Sequence, residues 1–309
     1  MLSVFTATLP IFTIIAVGYA LFRSEILPKE GVRALGAFVL TVALPALVFK
    51  SLSRHSFGEI INPTFLLAFG IGTAGVAISV FAIGHLVLKR DTTAAAIMAL
   101  GAASANSGFV GYPIAAIFVG PQAVVALALC MLIENLLTIP ILLAVAEAGQ
   151  GKGQPAGEIA RNVARSLLKN PLIIAIVAGA LASITGFHLP GPIEKSVDML
   201  SGASAAVALI SIGGALSQLS MGRRLEGLAL VVFGKLVLHP AFVALALLAL
   251  PPLQADLRRA LLIIVSAPMM TIYPLLGARF GQGSQAAAAL LVATALSFLT
   301  MSAVIALVS

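Results

Sequence analysis

The 309-residue chain is 60% hydrophobic and 9% charged, with a mean hydropathy of +1.12, whereas an average soluble domain carries roughly 25% charged residues. That balance excludes a water-soluble globular protein and predicts an all-α polytopic membrane protein, because a helix satisfies its own backbone in lipid. The net charge of +7 is spread over segment ends, which points to topology signals and lipid headgroups and away from nucleic acid, and the single cysteine, Cys130, excludes a disulfide framework.

Apolar runs of about 20 residues, each able to cross a hydrocarbon core of about 30 Å, predict ten spans, at 2–22, 32–53, 63–88, 93–119, 122–147, 170–188, 193–219, 225–250, 257–280 and 284–308. The first begins almost at Met1 with no basic residue ahead of it and no small-residue cleavage site after Arg23, which predicts a span and not a cleaved leader. Only one connection is substantial. It runs from Ala148 to Lys169, opens with Gly149, Gly151, Gly153 and Pro155, and ends in a basic amphipathic piece, Glu158 to Lys169. It divides the chain into a first five-helix repeat, 1–147, and a second, 170–309, with 148–169 as a short cytoplasmic linker.

An offset of 161 carries Tyr112-Pro113 onto Tyr273-Pro274, Gly120 onto Gly281, Gly18 onto Gly179 and Pro10 onto Pro171. A common offset over matching span patterns suggests duplication. An odd number of spans per half makes the repeat inverted, an arrangement characteristic of secondary transporters. On alternate loops, Arg23, Lys29, Arg33, Lys89, Arg90, Lys152, Arg161, Arg165, Lys169, Arg223, Arg224 and Arg279 fall on one side, and Lys50, Arg54, Lys195, Arg258 and Arg259 on the other. The richer side should be cytoplasmic, which places both termini outside, in the periplasm of a Gram-negative host.

The fourth and ninth spans are interrupted near their middles. Ser104, Asn106, Ser107, Gly108, Tyr112 and Pro113 break the fourth, and Pro268, Thr271, Tyr273 and Pro274 break the ninth. Each should split into half-helices whose freed N–H groups hold an anion and whose freed carbonyls suit a cation; two proline kinks satisfied by neighbouring Ser and Thr are the structural alternative. Asn106 offers an amide donor and acceptor beside the break, for a carboxylate or for the crossing backbone. Lys235 and His239 stand one turn apart in the eighth span. A central lysine costs roughly 2.5–3.5 kcal/mol on insertion scales, so a partner in the interior is expected, as a carboxylate anchor, part of a proton relay or a buried tether. Glu134 and Asn135 lie near the middle of the fifth span; a carboxyl there must be protonated or paired, which makes Glu134 the best proton-carrier candidate, with His239 and Asn135 as companions.

No phosphate-cradling Gly-Lys-Ser, no paired Cys or His at metal spacing and no nucleophile elbow is present, so no enzyme, no cofactor and no metal site is expected. The chain resembles the auxin efflux carrier family, permeases related to the plant PIN-FORMED carriers and to malonate and malate permeases. The resemblance spans the whole chain and rests on Leu9-Pro10-Ile11-Phe12 with Gly18-Tyr19, Val42 to Phe49, Asn106 to Pro113, and Lys235 to Pro240. It implies ten helices in two inverted repeats of the bile-acid-symporter type, with the fourth and ninth helices crossing at the site. It also implies a scaffold of helices 1, 2, 6 and 7, a transport domain of helices 3–5 and 8–10, elevator-type alternating access and often a homodimer. The implied activity is transport of a small organic carboxylate, auxin-like or dicarboxylate, across the inner membrane, proton-coupled or potential-driven. The alternatives are a sodium-coupled organic-anion symporter, disfavoured because 94–118 and 260–277 contain no carboxylate, and a non-transporting membrane receptor. The short linker departs from the long phosphoregulated loop of plant relatives.

Overall fold

The computed structural model describes residues 2–54, 62–151, 153, 155–218 and 227–308, and among them every regular element is helical. In chain order they are α1 (Leu2–Arg23), α2 (Gly31–Leu52), α3 (Pro63–Val87), α4 (Thr92–Ala103), α5 (Tyr112–Val119), α6 (Gln122–Gly149) and α7 (Ala156–Lys169). There follow α8 (Pro171–Thr185), α9 (Gly191–Gln218), α10 (Leu228–Ala249), α11 (Ala255–Val265), α12 (Tyr273–Ala278) and α13 (Gly283–Val308). Lys152, Arg223 and Arg224 of the orientation count lie outside the described residues.

Helix starts follow local chemistry. Asn62 caps α3 by accepting from the Phe65 N–H at 3.0 Å, Asp91 caps α4 by accepting from Ala94 at 2.7 Å, and Asn170 caps α8 by accepting from Leu172 at 3.0 Å. Pro63 and Pro171 occupy first-turn positions, where a missing N–H costs nothing.

Among the described residues, seven helical runs are long and apolar enough to cross a bilayer: α2, α3, Thr92–Val119, α6, α9, α10 and α13. α7 and α8 would add an eighth, although they are bent by 68° to one another. Length and composition among the described residues thus account for seven or eight of the ten expected spans. α11 and α12, of 11 and 6 residues, reach only about 16 Å and 9 Å at 1.5 Å per residue, because the chain between them is not helical.

Among the described residues five wide helical turns occur, and four of them share one cause. Leu44, Tyr112, Ile139 and His239 each donate their N–H five residues back, to Val39, Ser107, Glu134 and Gly234. Each is followed at once by a proline, Pro45, Pro113, Pro140 and Pro240. The proline ring collides with the carbonyl four residues back and offers it no N–H, and the wide turn makes room. These turns carry Glu134 and Lys235, and Asn106 caps a third.

α4 positions the site. Its residues Thr93 to Ala103 are all buried, and its Ala- and Gly-rich sequence has no polar face to present. Small residues also set the helix crossings elsewhere. A Cβ on Gly18 of α1 would strike the Ile210 backbone of α9, and one on Gly179 of α8 would come within 2.9 Å of Leu52 and 3.2 Å of the Phe49 carbonyl on α2.

Candidate functional site: a crossing of two broken helices

α4 ends where Ser104 turns extended, and its hydroxyl donates back to the Leu100 carbonyl at 2.7 Å. The next backbone groups have no intrahelical partner and must find one in the interior. The Ala105 N–H donates to Glu134 Oε1 at 2.8 Å, and the Asn106 N–H donates across to the Pro268 carbonyl at 2.7 Å. Asn106 then caps the next helical turn. Its Oδ1 accepts from the Phe109 N–H at 3.3 Å, and its Nδ2 donates to Thr271 Oγ1 on the opposite segment at 2.9 Å. Ser107 Oγ donates to Glu134 Oε2 at 3.2 Å.

The second broken chain mirrors the first with the opposite charge. At the end of α11 the Val265 carbonyl is freed, and Lys235 Nζ donates to it at 3.0 Å. Thus a buried carboxylate serves the freed amide of one break and a buried ammonium the freed carbonyl of the other, each matched to the local helix-end polarity. Glu134 is 2% exposed and Lys235 0%, and the two lie within electrostatic reach of each other. Two further points lock the crossing. Gly111 of the first chain would place a Cβ 3.1 Å from Ile264 Cα, and Gly101 of α4 lies against the Tyr273 ring, whose hydroxyl donates to the Ile97 carbonyl at 3.1 Å.

Lys235 also donates to His239 Nδ1 at 2.7 Å, and His239 Nε2 meets Thr73 Oγ1 on α3 at 3.0 Å. With lysine as the donor, Nδ1 accepts, so the ring proton sits on Nε2 and Thr73 accepts it. This fully buried chain braces α3, α10 and α11 together. Thr73→Val keeps the shape and removes the acceptor, and it should cost about 1–2 kcal/mol, read as a lowered midpoint in thermal unfolding. A midpoint equal to that of the parent would show that His239 needs no partner there.

The structure thus brings Ser104, Asn106, Ser107, Glu134, Pro268, Thr271 and Lys235 to one buried locus, with Gly108, Tyr112 and Pro113 along the same outgoing turn and His239 behind Lys235. Tyr273 sits on the far side, with its hydroxyl committed to α4, and Pro274 opens α12 behind it. Asn135 faces away. Its Nδ2 donates to the Met131 carbonyl at 2.8 Å, and its Oδ1 accepts from Asn170 at 3.4 Å. Thr73 was not anticipated from sequence, and nothing local marks it; its partner is 166 residues away.

A membrane transport protein family model matches residues 3–305. A Rhizobium meliloti protein named as a malonate transporter is 32% identical over 303 residues, covering 97% of this chain and 94% of that protein. The Escherichia coli (strain K12) uncharacterized transporter YfdV is 28% identical over 239 residues, or 75% of this chain and 74% of its own length. The Mus musculus lysosomal cholesterol signaling protein is 28% identical over 244 residues, or 75% of this chain but 28% of that protein. With a match running nearly from end to end, the chain belongs to the membrane transport protein family of auxin efflux carriers.

Proposed function

We propose that the protein is a secondary active transporter of a small organic carboxylate, auxin-like or dicarboxylate, and that the crossing at Asn106 and Pro268 is its substrate site. The observation that carries this reading is the N-terminus of the Ser107–Val119 helix. Asn106 takes the Phe109 N–H and offers its own carbonyl to Val110 and Gly111, which leaves the first-turn amides of Ser107 and Gly108 for an anion. A relative named for malonate transport agrees with a carboxylate cargo.

The paired buried charges supply a coupling rule. With Glu134 ionised and Lys235 protonated the locus is neutral; a proton on Glu134 leaves one positive charge, which one carboxylate balances. Protonating Glu134 also turns one of its acceptors into a donor, which the Ser107 hydroxyl can accept by reversing the direction of their hydrogen bond. Proton and carboxylate are then bound together, in keeping with a proton-coupled or potential-driven carrier.

Ten spans in two inverted repeats fit the same reading. Gly120 and Gly281, one offset apart, both adopt positive φ, +59° and +74°, just beyond α5 and α12, a conformation that costs glycine little. Gly18 makes the close approach of α1 to α9, and Gly179, at the same offset, that of α8 to α2, as an inverted pair requires. In this arrangement α1, α2, α8 and α9 form the scaffold of a homodimer, and the remaining helices form the moving elevator domain. The protein lies in the inner membrane with both termini outside and 148–169 cytoplasmic.

The test is flux into liposomes with malonate, succinate and indole-3-acetate as probes. The parent should carry at least one of them, and Asn106→Ala should slow it at least tenfold. Parental flux in the variant would remove Asn106 from the site, and no flux of any probe in the parent would defeat the reading.

A further inference from the structure

α7 has two faces that no transport step uses. Ile159, Val163 and Leu167, at i, i+4 and i+8, are half-buried against α6 and α8. Arg161, Arg165 and Lys169, at the same spacing on the other side, are exposed and take no carboxylate partner among the described residues. Leu168, 77% exposed, stands beside them. A row of exposed cations opposite the packed face, on a helix bent 68° away from α8, is the pattern of a helix lying at the membrane interface with arginine and lysine at the phosphate level. Glu158 is exposed in the first turn, where the helix dipole accommodates it, and the positive stripe grows toward the C-terminus.

That C-terminus is wired to the crossing. Lys169 is followed by Asn170, which caps α8 through Oδ1 and donates through Nδ2 to Asn135 Oδ1 at 3.4 Å. Asn135 belongs to the wide turn Glu134–Thr138, against which α7 also packs, and its neighbour Glu134 holds the Ala105 N–H of the broken helix. We propose that α7 is a binding surface for anionic phospholipid headgroups, and that its seating is transmitted through Asn170 and Asn135 to the turn that carries Glu134. The second half rests on the reading of the crossing as the transport site; the first does not.

The test uses the full chain in nanodiscs of phosphatidylcholine alone and of phosphatidylcholine with 30% phosphatidylglycerol, and reads amide hydrogen exchange, so it does not depend on knowing the cargo. Each basic residue near an anionic surface is worth roughly fivefold in partitioning. Exchange in 157–169 should therefore slow about tenfold or more with phosphatidylglycerol, an effect weakened by 0.5 M salt and absent from Arg161→Gln/Arg165→Gln/Lys169→Gln. Exchange in 134–138 should slow in parallel. Asn170→Asp keeps the cap acceptor and loses the donor to Asn135, so it should retain protection of α7 and lose that of 134–138. Equal α7 exchange in the two lipids, or a triple variant that responds like the parent, would show a merely solvated face. Protection of α7 with 134–138 unchanged in the parent would overturn the transmission while leaving the lipid surface in place. Flux of the three probe acids in the same lipids separates these outcomes from a failure of the transport reading.

Discussion

Lys235→Met should be far less stable than the parent and carry no substrate, and adding Glu134→Gln should restore much of the stability but none of the flux. Methionine fills the space of the lysine stem, so the loss is that of the charge and its donors. The Val265 carbonyl and His239 Nδ1 lose their donor, and Glu134, 2% exposed, is left without its neighbouring cation. Glu134 and Lys235 are not in direct ion-pair contact, but removing the lysine leaves the buried carboxylate desolvated without its compensating charge, which destabilises the fold. Glutamine at 134 removes that charge while its carbonyl still accepts from the Ala105 N–H. The double variant should therefore unfold at a higher temperature than Lys235→Met alone, with a coupling of at least about 1 kcal/mol. Midpoints of the four proteins in one detergent decide the matter. If the two losses simply add, the charges act independently and the view of a joint electrostatic brace across the two breaks is wrong.

The breaks themselves were legible in the sequence, because Asn106, Gly108, Gly111 and Pro113, or Pro268 and Pro274, cannot all sit inside an uninterrupted apolar helix. What each break leans on was not legible. The contacts from Glu134 to Ala105 and from Lys235 to Val265 depend on how helices 29 and 30 residues apart in sequence come together. Thr73 shows the limit most clearly. Thr13 and Thr41 lie in equally apolar helices and merely donate to the carbonyl four residues back, so a threonine in an apolar segment carries no mark of a histidine partner. Adjacency in sequence also misled in one case. Asn135 follows Glu134 directly, but one helical step of about 100° turns it toward Asn170 and away from the crossing. The segment 257–280, read as one interrupted span, is two short helices with the site chemistry between them.

Gly101→Ala should uncouple α12 from α4, a large effect for a single methyl group. A Cβ at position 101 would lie 2.5 Å from Cζ and 2.6 Å from Oη of Tyr273, closer than any carbon tolerates. The ring cannot yield easily, since it is 1% exposed and its hydroxyl is tied to the Ile97 carbonyl one turn earlier on α4. Overpacking of this kind costs about 1–3 kcal/mol, and displacing the hydroxyl strands a buried acceptor for about 1–3 kcal/mol more. Tyr273 begins α12 and stands two residues after Thr271, the partner of Asn106, so the same push should pull Thr271 off the amide and slow transport as well as lower the unfolding midpoint. Tyr273→Leu removes the ring that the methyl strikes. Gly101→Ala/Tyr273→Leu should therefore be more stable than Gly101→Ala alone, although each change is harmful singly. A Gly101→Ala protein with the parent's midpoint and flux would show that α12 is free to shift on α4, and that the crossing is held at Asn106 and Pro268 alone.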